Sequence, residues 1–269
     1  MARFDGKTVL VTGSSKGVGL AAAERFAKLG AKVGLVARDR SALEAAAARI
    51  GGQTHIVAAD LAEREECLRT VDEVVAALGP IDVLVSAAGT LQRDWVEDVK
   101  PADFDRNWRL HVGAALWLTQ RVLPGMRERG SGSLVYVASE LGLIGGATYA
   151  SYCTSKWGLV GLGETLYNEL GGSGVHVAVI CPGDTRTDQF REDFNWGPTA
   201  GGIPFEKAMA PEKVARAIAR CAEGRGKALV IVDRSHMRLL FAVMGGPRGV
   251  WRRGVRDSFK NIRNSRTAG

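Results

Sequence analysis

Short apolar runs rich in β-branched residues alternate with helical stretches along most of the chain. The runs are Thr8–Thr12, Lys32–Ala37, His55–Ala59, Ile81–Val85, Ser133–Ala138, Val175–Cys181 and Ala228–Val232. Each run is almost continuously apolar, which is typical of a strand that is buried on both faces. Strands that alternate with helices build a parallel sheet covered by helices on both faces. The pattern therefore predicts an α/β fold with about seven parallel strands.

The stretches between these runs are long enough to form the covering helices, at Leu20–Leu29, Ser41–Ile50, Glu63–Leu78, Phe104–Met126, Tyr152–Leu170 and Pro211–Glu223. Glycine, proline and aromatic residues crowd the segment 188–210, which is predicted to be irregular. No linker, repeat or low-complexity segment divides the chain. We expect one domain over residues 1–233 and a basic, partly apolar extension over residues 234–269.

A glycine-rich turn separates the first predicted strand from the first helix. Glycine permits a tight turn and a close backbone approach, so the amides at the helix start can hold a pyrophosphate. This placement predicts a single-domain, Rossmann-type, doubly wound parallel sheet that binds a dinucleotide. The loop residues expected to bind the cofactor are Gly13, Ser14, Ser15, Lys16, Gly17, Val18 and Gly19.

The end of the second strand indicates which cofactor is used. An acidic residue there would bind the adenosine ribose hydroxyl of NAD(H), but the strand ends in Arg38. Arg38 and Lys16 both suit a 2′-phosphate, so NADP(H) is favoured. In the alternative interpretation, Arg38 lies in solvent and Asp39 turns in to bind NAD(H).

Tyr152 and Lys156 are four residues apart and would lie on one face of a helix. An ammonium beside a phenol favours the phenolate, so Lys156 is expected to lower the pKa of Tyr152. Such a tyrosine can exchange a proton with a carbonyl or alcohol oxygen near neutral pH. An isolated pair of this kind also occurs by chance on solvated helices.

Taken together, these residues resemble the short-chain dehydrogenase/reductase family over about residues 5–232. The resemblance is carried by Thr12-Gly13-x-x-x-Gly17-x-Gly19, Asp60-Leu61, Ser86-Ala87-Ala88-Gly89, Ser139, Tyr152-x-x-x-Lys156 and Pro182-Gly183. It implies that residues 1–233 form a dinucleotide-binding catalytic domain with a substrate loop at 188–210. It also implies a homodimer or homotetramer, formed through the helices at Phe104–Met126 and Tyr152–Leu170.

The resemblance implies a role for each motif residue. Ser139 would hydrogen-bond the substrate oxygen, and Tyr152 would act as general acid or base. Lys156 would bind the nicotinamide ribose and lower the Tyr152 pKa. The remaining cofactor contacts would come from Asp60 and Leu61 near the adenine, from Ala87, Ala88 and Gly89 beside the adenosine, and from Pro182, Gly183, Thr185 and Thr187 around the nicotinamide.

The chain departs from the family pattern at two places. Ser86 stands where the family commonly has asparagine, and we expect little effect because serine also hydrogen-bonds locally. His111 aligns with the catalytic asparagine that anchors a water in the family's proton relay to the lysine. His111 could hold that water, or titrate and relay the proton itself. Alternatively, His111 is a buried structural residue, and Asn107 or a water serves the relay.

The activity implied by the resemblance is NADP(H)-dependent hydride transfer between the nicotinamide and a ketone or secondary alcohol. The aromatic residues of 188–210 predict a lid over an apolar, medium-to-large ketone, with Trp95 and residues 140–147 beside it. Alternatively, these aromatics pack against the body or another subunit. Two other functions stay open: a catalytically weak dinucleotide-binding scaffold or sensor, and a dehydration or epimerisation at the same cofactor site.

The formal charge of +7 lies largely in the last part of the chain. No nucleic-acid motif accompanies it, so no nucleic-acid partner is predicted. Residues 235–256 interleave apolar residues with arginines. This stretch could cap the pocket or contact a subunit, could touch a membrane surface, or could be a solvated tail.

Neither a signal peptide nor a membrane span is apparent, which predicts a cytoplasmic protein. The four cysteines are scattered along the chain and are expected to be buried or spectator thiols, with no disulfide framework and no metal site.

Overall fold

A computed structural model describes residues 3–196, 204–224 and 229–232 of the chain. Seven parallel strands form one sheet in the order β3-β2-β1-β4-β5-β6-β7. The strands are β1 (Thr8–Thr12), β2 (Lys32–Ala37), β3 (Thr54–Ala58), β4 (Ile81–Ser86), β5 (Gly132–Val137), β6 (Val175–Cys181) and β7 (Leu229–Ile231). The order runs outward in both directions from β1 and β4, which opens a crevice at their carboxyl ends. The predicted doubly wound sheet is confirmed.

Helices cover both faces of the sheet. They are α1 (Gly17–Lys28), α2 (Arg40–Ile50), α3 (Arg64–Leu78), α4 (Pro101–Trp108), α5 (Ala114–Glu128), α6 (Ala150–Glu169), α7 (Asp188–Trp196) and α8 (Pro211–Ala222). The core forms two layers because successive side chains of each strand point to opposite faces. In β1, Leu10 packs into the layer under α3, α5 and α6, whereas Val9 and Val11 pack into the layer under α1 and α8. Strands β1, β2, β4, β5 and β6 are therefore buried on both faces, as their apolar runs predicted, whereas the edge strand β3 is only partly buried.

The prediction that residues 188–210 are irregular is wrong for two parts of that segment. Residues 188–196 form α7, and Phe205–Lys207 form a short 3₁₀ turn. The Thr187 hydroxyl accepts the Phe190 amide at the start of α7, and the Phe190 ring stacks on Phe205 at 5.8 Å between centroids. A cap and a distant aromatic contact thus stabilise a helix that local composition did not indicate.

The long helix predicted before β5 is interrupted by a π-turn at Arg109–Gly113, between α4 and α5. The four cysteines are buried and unpaired. The extension 234–269 and the glycines at 197, 201 and 202 lie outside the described residues. Within the described ranges, no helix has the length and apolar character required to cross a bilayer.

Candidate active site

The glycine loop after β1 fits a close backbone turn. A Cβ on Gly19 would lie 2.2 Å from the Gly13 carbonyl oxygen, and one on Gly13 would lie 2.8 Å from the Ala88 Cα. Gly13 also has a φ of +67°, which disfavours other residues. The Thr12 hydroxyl accepts the amides of Ala87 and Ala88, each at 2.9 Å. The loops after β1 and β4 therefore form one unit without room for larger side chains.

The start of α1 can receive an anionic group. Lys16 occupies the N-cap position without a side-chain cap, and the first turn contains no acidic residue. The first helix amides are thus not capped by a side chain, and the helix dipole favours negative charge there. A Cβ on Gly17 would meet the Thr187 methyl at 3.2 Å, so the loop after β6 borders the same place. The residues present fit the pyrophosphate of a dinucleotide.

Two residues predicted to bind the cofactor use their side chains for the fold. The Ser14 hydroxyl accepts the Val36 amide at 2.7 Å and is fully buried, so it braces the loop against β2. The Leu61 side chain packs in the core. Only their backbone groups are available to a cofactor.

Asp60 lies on the predicted adenine side, where Arg106 Nη2 donates to its carboxylate at 2.7 Å. Burial raises the pKa of Asp60, but the hydrogen bonds from Arg106 and the Ala62 amide, together with the charges of Arg106 and Arg38, outweigh it, so the net pKa lies below the ordinary value. Asp39 caps α2 instead of turning inward. Its carboxylate accepts the Ala42 amide at 3.1 Å and the Ser41 hydroxyl at 2.8 Å.

The structure brings Ser139, Tyr152 and Lys156 together at the carboxyl end of β5. The Ser139 side chain is within hydrogen-bonding reach of the Tyr152 phenol. Lys156 Nζ donates to the Val137 carbonyl at 3.1 Å and lies 5.5 Å from the Tyr152 ring centroid. A Cβ on Gly89 would be 3.6 Å from this ammonium. Three of the four residues predicted to take part in catalysis, Ser139, Tyr152 and Lys156, are therefore neighbours and also border the loop after β4; the fourth is His111.

Burial dominates the electrostatics of Tyr152 and Lys156. It raises the pKa of Tyr152, and the hydrogen bond with Ser139 lowers it only in part. The net shift is opposite to the lowering predicted from the Tyr152–Lys156 pair, because the phenolate is deprived of water. Burial also lowers the pKa of Lys156 to about 8, which makes its ammonium a ready proton donor.

His111 lies in the π-turn with both ring nitrogens engaged. Nε2 accepts the Thr90 amide at 3.0 Å, and Nδ1 lies 2.7 Å from the Ser155 hydroxyl oxygen. Ser155 donates its own proton to the Tyr152 carbonyl at 2.8 Å. Nδ1 must therefore carry the proton and donate to Ser155. Burial, followed by the charge of Lys156, holds the pKa of His111 well below its usual range.

Asn107 lies about one turn before His111 and is also buried. Its amide nitrogen donates to Gln92 Oε1 at 3.3 Å, and its Oδ1 finds no hydrogen-bond partner among the described residues. Sequence reasoning missed Thr90 and Ser155, the two partners that orient His111. Ser155 could have been found from the sequence, because it lies between Tyr152 and Lys156 on the same helix.

The loop predicted to enclose the nicotinamide folds back on itself beside Ser139. The Pro182 carbonyl accepts the Glu140 amide at 2.9 Å, and a Cβ on Gly183 would meet the Glu140 carboxylate at 2.9 Å. The Thr185 hydroxyl donates to the Gly183 carbonyl at 2.8 Å, and the Thr187 hydroxyl donates to the Thr185 carbonyl at 3.3 Å. This loop therefore closes the crevice between the glycine loop and Ser139.

A doubly wound sheet with a glycine loop after its first strand defines the class of dinucleotide-binding α/β proteins. Within that class, the family model described as short chain dehydrogenase matches residues 7–197. The chain belongs to this family, the short-chain dehydrogenases/reductases. They are oxidoreductases that use nicotinamide cofactors on small-molecule alcohols or carbonyl compounds, and they commonly form oligomers.

Three relatives illustrate the range of the family. A D-threitol dehydrogenase of Mycolicibacterium smegmatis is 32% identical over 80% of this chain and 85% of its own length. Ketoacyl reductase HetN of Nostoc sp. is 31% identical over 90% of this chain and 86% of its own. The crystal structure of levodione reductase superposes with a TM-score of 0.81 at 25% identity, covering 87% of this chain and 99% of that structure.

Proposed function

We propose that the protein is an NADP(H)-dependent reductase that converts an apolar, medium-to-large ketone into a secondary alcohol. The observation that carries this proposal is the meeting of Ser139, Tyr152 and Lys156 beside the glycine loop. These side chains supply a hydrogen-bond donor, a proton donor and a buried ammonium at one place. These three groups suit carbonyl reduction. Among the described residues, no contact specifically favours dehydration or epimerisation.

A dinucleotide held at the glycine loop would supply the hydride from its nicotinamide. Negative charge then develops on the carbonyl oxygen, and Ser139 stabilises it by hydrogen bonding. Tyr152 transfers its proton to this oxygen. Burial raises the pKa of Tyr152, which keeps the phenol protonated until the developing alkoxide, a stronger base, takes the proton. Lys156, whose Nζ lies 5.5 Å from the Tyr152 ring centroid, stabilises the phenolate that forms and returns a proton to it.

For His111, the hydrogen bonds favour the structural interpretation over the relay. A histidine that carries a proton needs a free nitrogen lone pair, but the Thr90 amide occupies Nε2. A histidine that anchors a water needs a free donor or acceptor, but Nδ1 is engaged with Ser155. We propose that neutral His111 ties the loop after Gly89 to α6, and thereby positions Tyr152 and Lys156.

The choice of NADP(H) over NAD(H) is supported by the arrangement at the end of β2. Asp39 caps α2, so its carboxylate is already used by the Ala42 amide and the Ser41 hydroxyl. Arg38 and Lys16 are exposed and follow the carboxyl ends of the neighbouring parallel strands β2 and β1. Two exposed cations at this end of the sheet suit a 2′-phosphate.

The apolar substrate is supported by the surroundings of Tyr152. Tyr152, Tyr149 and Cys153 form a small apolar cluster that also contacts Leu91 and Leu141. The relatives are named for different substrates, so their names do not select one. An uncharged ketone with an apolar body fits this cluster.

We also propose that the protein forms a homodimer or homotetramer in the cytoplasm. Large apolar side chains are exposed on adjacent helices: Trp108 on α4, Leu116 on α5, and Trp157 and Tyr167 on α6. Such a patch is typical of a subunit interface. Light scattering after size exclusion should show smaller particles for Trp157→Arg than for wild type, and equal masses would contradict this interface.

The activity is tested by following NADPH oxidation with a panel of aliphatic, aromatic, steroidal, β-keto and long-chain ketones. Tyr152→Phe should reduce turnover by about 10²- to 10⁴-fold, the usual contribution of a positioned acid, with NADPH affinity retained. Tyr167→Phe is the matched control, because this tyrosine is exposed on the same helix. Tight NADPH binding without turnover in either direction would contradict the proposal and favour a cofactor-binding scaffold.

A further inference from the structure

A buried ion pair joins two segments on the substrate side of the crevice. Arg93 Nη1 lies 3.3 Å from Asp193 Oδ1, and the two side chains are 2% and 5% exposed. Removing both charges from water is costly, so a buried pair persists only when further hydrogen bonds satisfy it. The other described ion pairs each have at least one partner more exposed than these two.

Hydrogen bonds around this pair satisfy both charges. Arg93 Nη1 also donates to the Asp193 carbonyl at 3.2 Å, and its Nε donates to the Thr148 hydroxyl at 3.1 Å. The Tyr149 phenol lies 2.9 and 2.8 Å from the two oxygens of Asp193 and donates to that carboxylate. The Arg93 guanidinium also lies 4.7 Å from the centroid of the Tyr149 ring. One network therefore holds the cation, the anion and the phenol together.

The network connects three segments that border the catalytic residues. Arg93 lies four residues after Gly89, in the loop that follows β4. Tyr149 immediately precedes α6, three residues before Tyr152. Asp193 lies in α7, within the segment predicted to form the lid. The Asp94 amide also donates to the Thr148 carbonyl at 3.0 Å, which joins the first two segments through their backbones.

Thr148 shows how tightly this junction is held. Its φ is +72°, a left-handed conformation that β-branched residues rarely adopt. Such strain persists only where the surrounding structure over-determines it, and it concentrates at functional sites. Here Arg93 Nε donates to the Thr148 hydroxyl, and the Asp94 amide donates to the Thr148 carbonyl.

We infer that Arg93, Asp193 and Tyr149 form a latch that holds α7 against the start of the catalytic helix. They are positioning residues: they set the wall against which the substrate lies, while Ser139, Tyr152 and Lys156 carry the chemistry. Because Arg93 and Asp193 cancel each other's charge, this wall carries no net charge from the pair and suits an uncharged substrate. This last point rests on the proposed function.

Hydrogen exchange tests the latch without any substrate. Asp193→Asn keeps the shape but removes the negative charge, and Tyr149→Phe removes only the hydroxyl. Both should speed amide exchange in residues 188–196 by about tenfold or more, and leave α8 at the wild-type rate. Arg121→Gln is the control, because it breaks the Arg121–Asp72 pair, whose side chains are 50% and 53% exposed.

A kinetic measurement tests the positioning role. With a ketone that the wild type reduces, Asp193→Asn should raise KM several-fold, with kcat and NADPH affinity within about twofold. Unchanged exchange in α7, equal acceleration in α7 and α8, or faster α7 exchange with unchanged KM would each overturn the inference. Absence of turnover in the wild type would instead count against the proposed function, since the exchange result does not depend on it.

Discussion

The cofactor side and the substrate side of the crevice are built from different kinds of contact. On the cofactor side, backbone groups and very short side chains meet: Gly19 packs on the Gly13 carbonyl, and Thr12 holds the turn at Ala87 and Ala88. On the substrate side, long polar side chains meet, and Arg93 and Asp193 are 100 residues apart. The first surface excludes added atoms, whereas the second depends on charge balance and hydrogen bonding. The two sides should therefore fail in different ways when they are mutated.

The largest effect is expected from Gly19→Ala on the cofactor side. The new Cβ would lie 2.2 Å from the Gly13 carbonyl oxygen, so the loop must move. Overpacking of this kind costs about 1–3 kcal/mol, and the displaced amides should weaken NADPH binding by about 100-fold in all. Fluorescence titration with NADPH measures the dissociation constant. Gly161→Ala is the control, because its Cβ would meet nothing within 4 Å. Equal affinities in the two variants would show that the loop tolerates added atoms.

A smaller effect on the same side is expected from Arg38→Ser. Loss of a charged hydrogen bond to the 2′-phosphate costs about 1.5–3 kcal/mol, which weakens NADPH binding by about 10- to 100-fold and leaves NADH nearly unchanged. Titration of both cofactors measures the ratio. Arg40→Ser is the neighbouring control. If Arg40→Ser weakened NADPH binding and Arg38→Ser did not, Arg40 rather than Arg38 would bind the 2′-phosphate.

The junction between the two sides is tested through His111. Its pKa is held well below 6.5, mainly by burial, so at lower pH the unfolded chain binds a proton that the folded chain does not. The free energy of unfolding of the wild type should therefore fall, relative to His111→Asn, by about 1.4 kcal/mol for each pH unit below 6.5. Denaturant titrations at several pH values measure the slope, with His176→Asn at an exposed histidine as the control.

The same variant separates positioning from relay. If neutral His111 only holds Thr90 and Ser155 in place, the acid limb of the pH–rate profile should keep its midpoint in His111→Asn. A shifted midpoint would show that the histidine itself titrates during turnover. The result also bears on Asn107, the alternative relay residue one turn before His111, whose buried Oδ1 finds no hydrogen-bond partner among the described residues.

The smallest effect is expected from Phe205→Ala on the substrate side. It removes the stacking on Phe190 and the contact with the Arg191 guanidinium, which lies 4.2 Å from the Phe205 ring centroid. Together these contacts are worth about 1–2 kcal/mol, so α7 should loosen and KM should rise about 5- to 10-fold with kcat maintained. Lys207→Ala, in the same 3₁₀ turn, is the control. A lower kcat at constant KM would contradict this assignment, because the turn would then act on the chemistry.

Much of the fold was determined by the sequence alone. The alternation of apolar strands with helices predicted all seven strands, because burial on both faces of a parallel sheet requires nearly continuous apolar runs. The glycine spacing predicted the tight loop for the same local reason: only glycine fits between the Gly13 carbonyl and α1. Tyr152 and Lys156 could be paired from the sequence because both lie on one helix, where spacing determines which side chains are neighbours.

Other properties were decided only by the tertiary structure. The sequence showed His111 in the place of an asparagine, but its neutral state follows from the Thr90 amide, the Ser155 hydroxyl and the loss of water around the ring. The pKa of Tyr152 moves upward for the same reason, since burial outweighs the hydrogen bond with Ser139. Composition predicted no helix at residues 188–196. No local sequence pattern predicts the contact between Arg93 and Asp193, which are far apart in the chain. Desolvation and contacts between distant segments are properties of the folded chain, so they cannot be obtained from local sequence patterns.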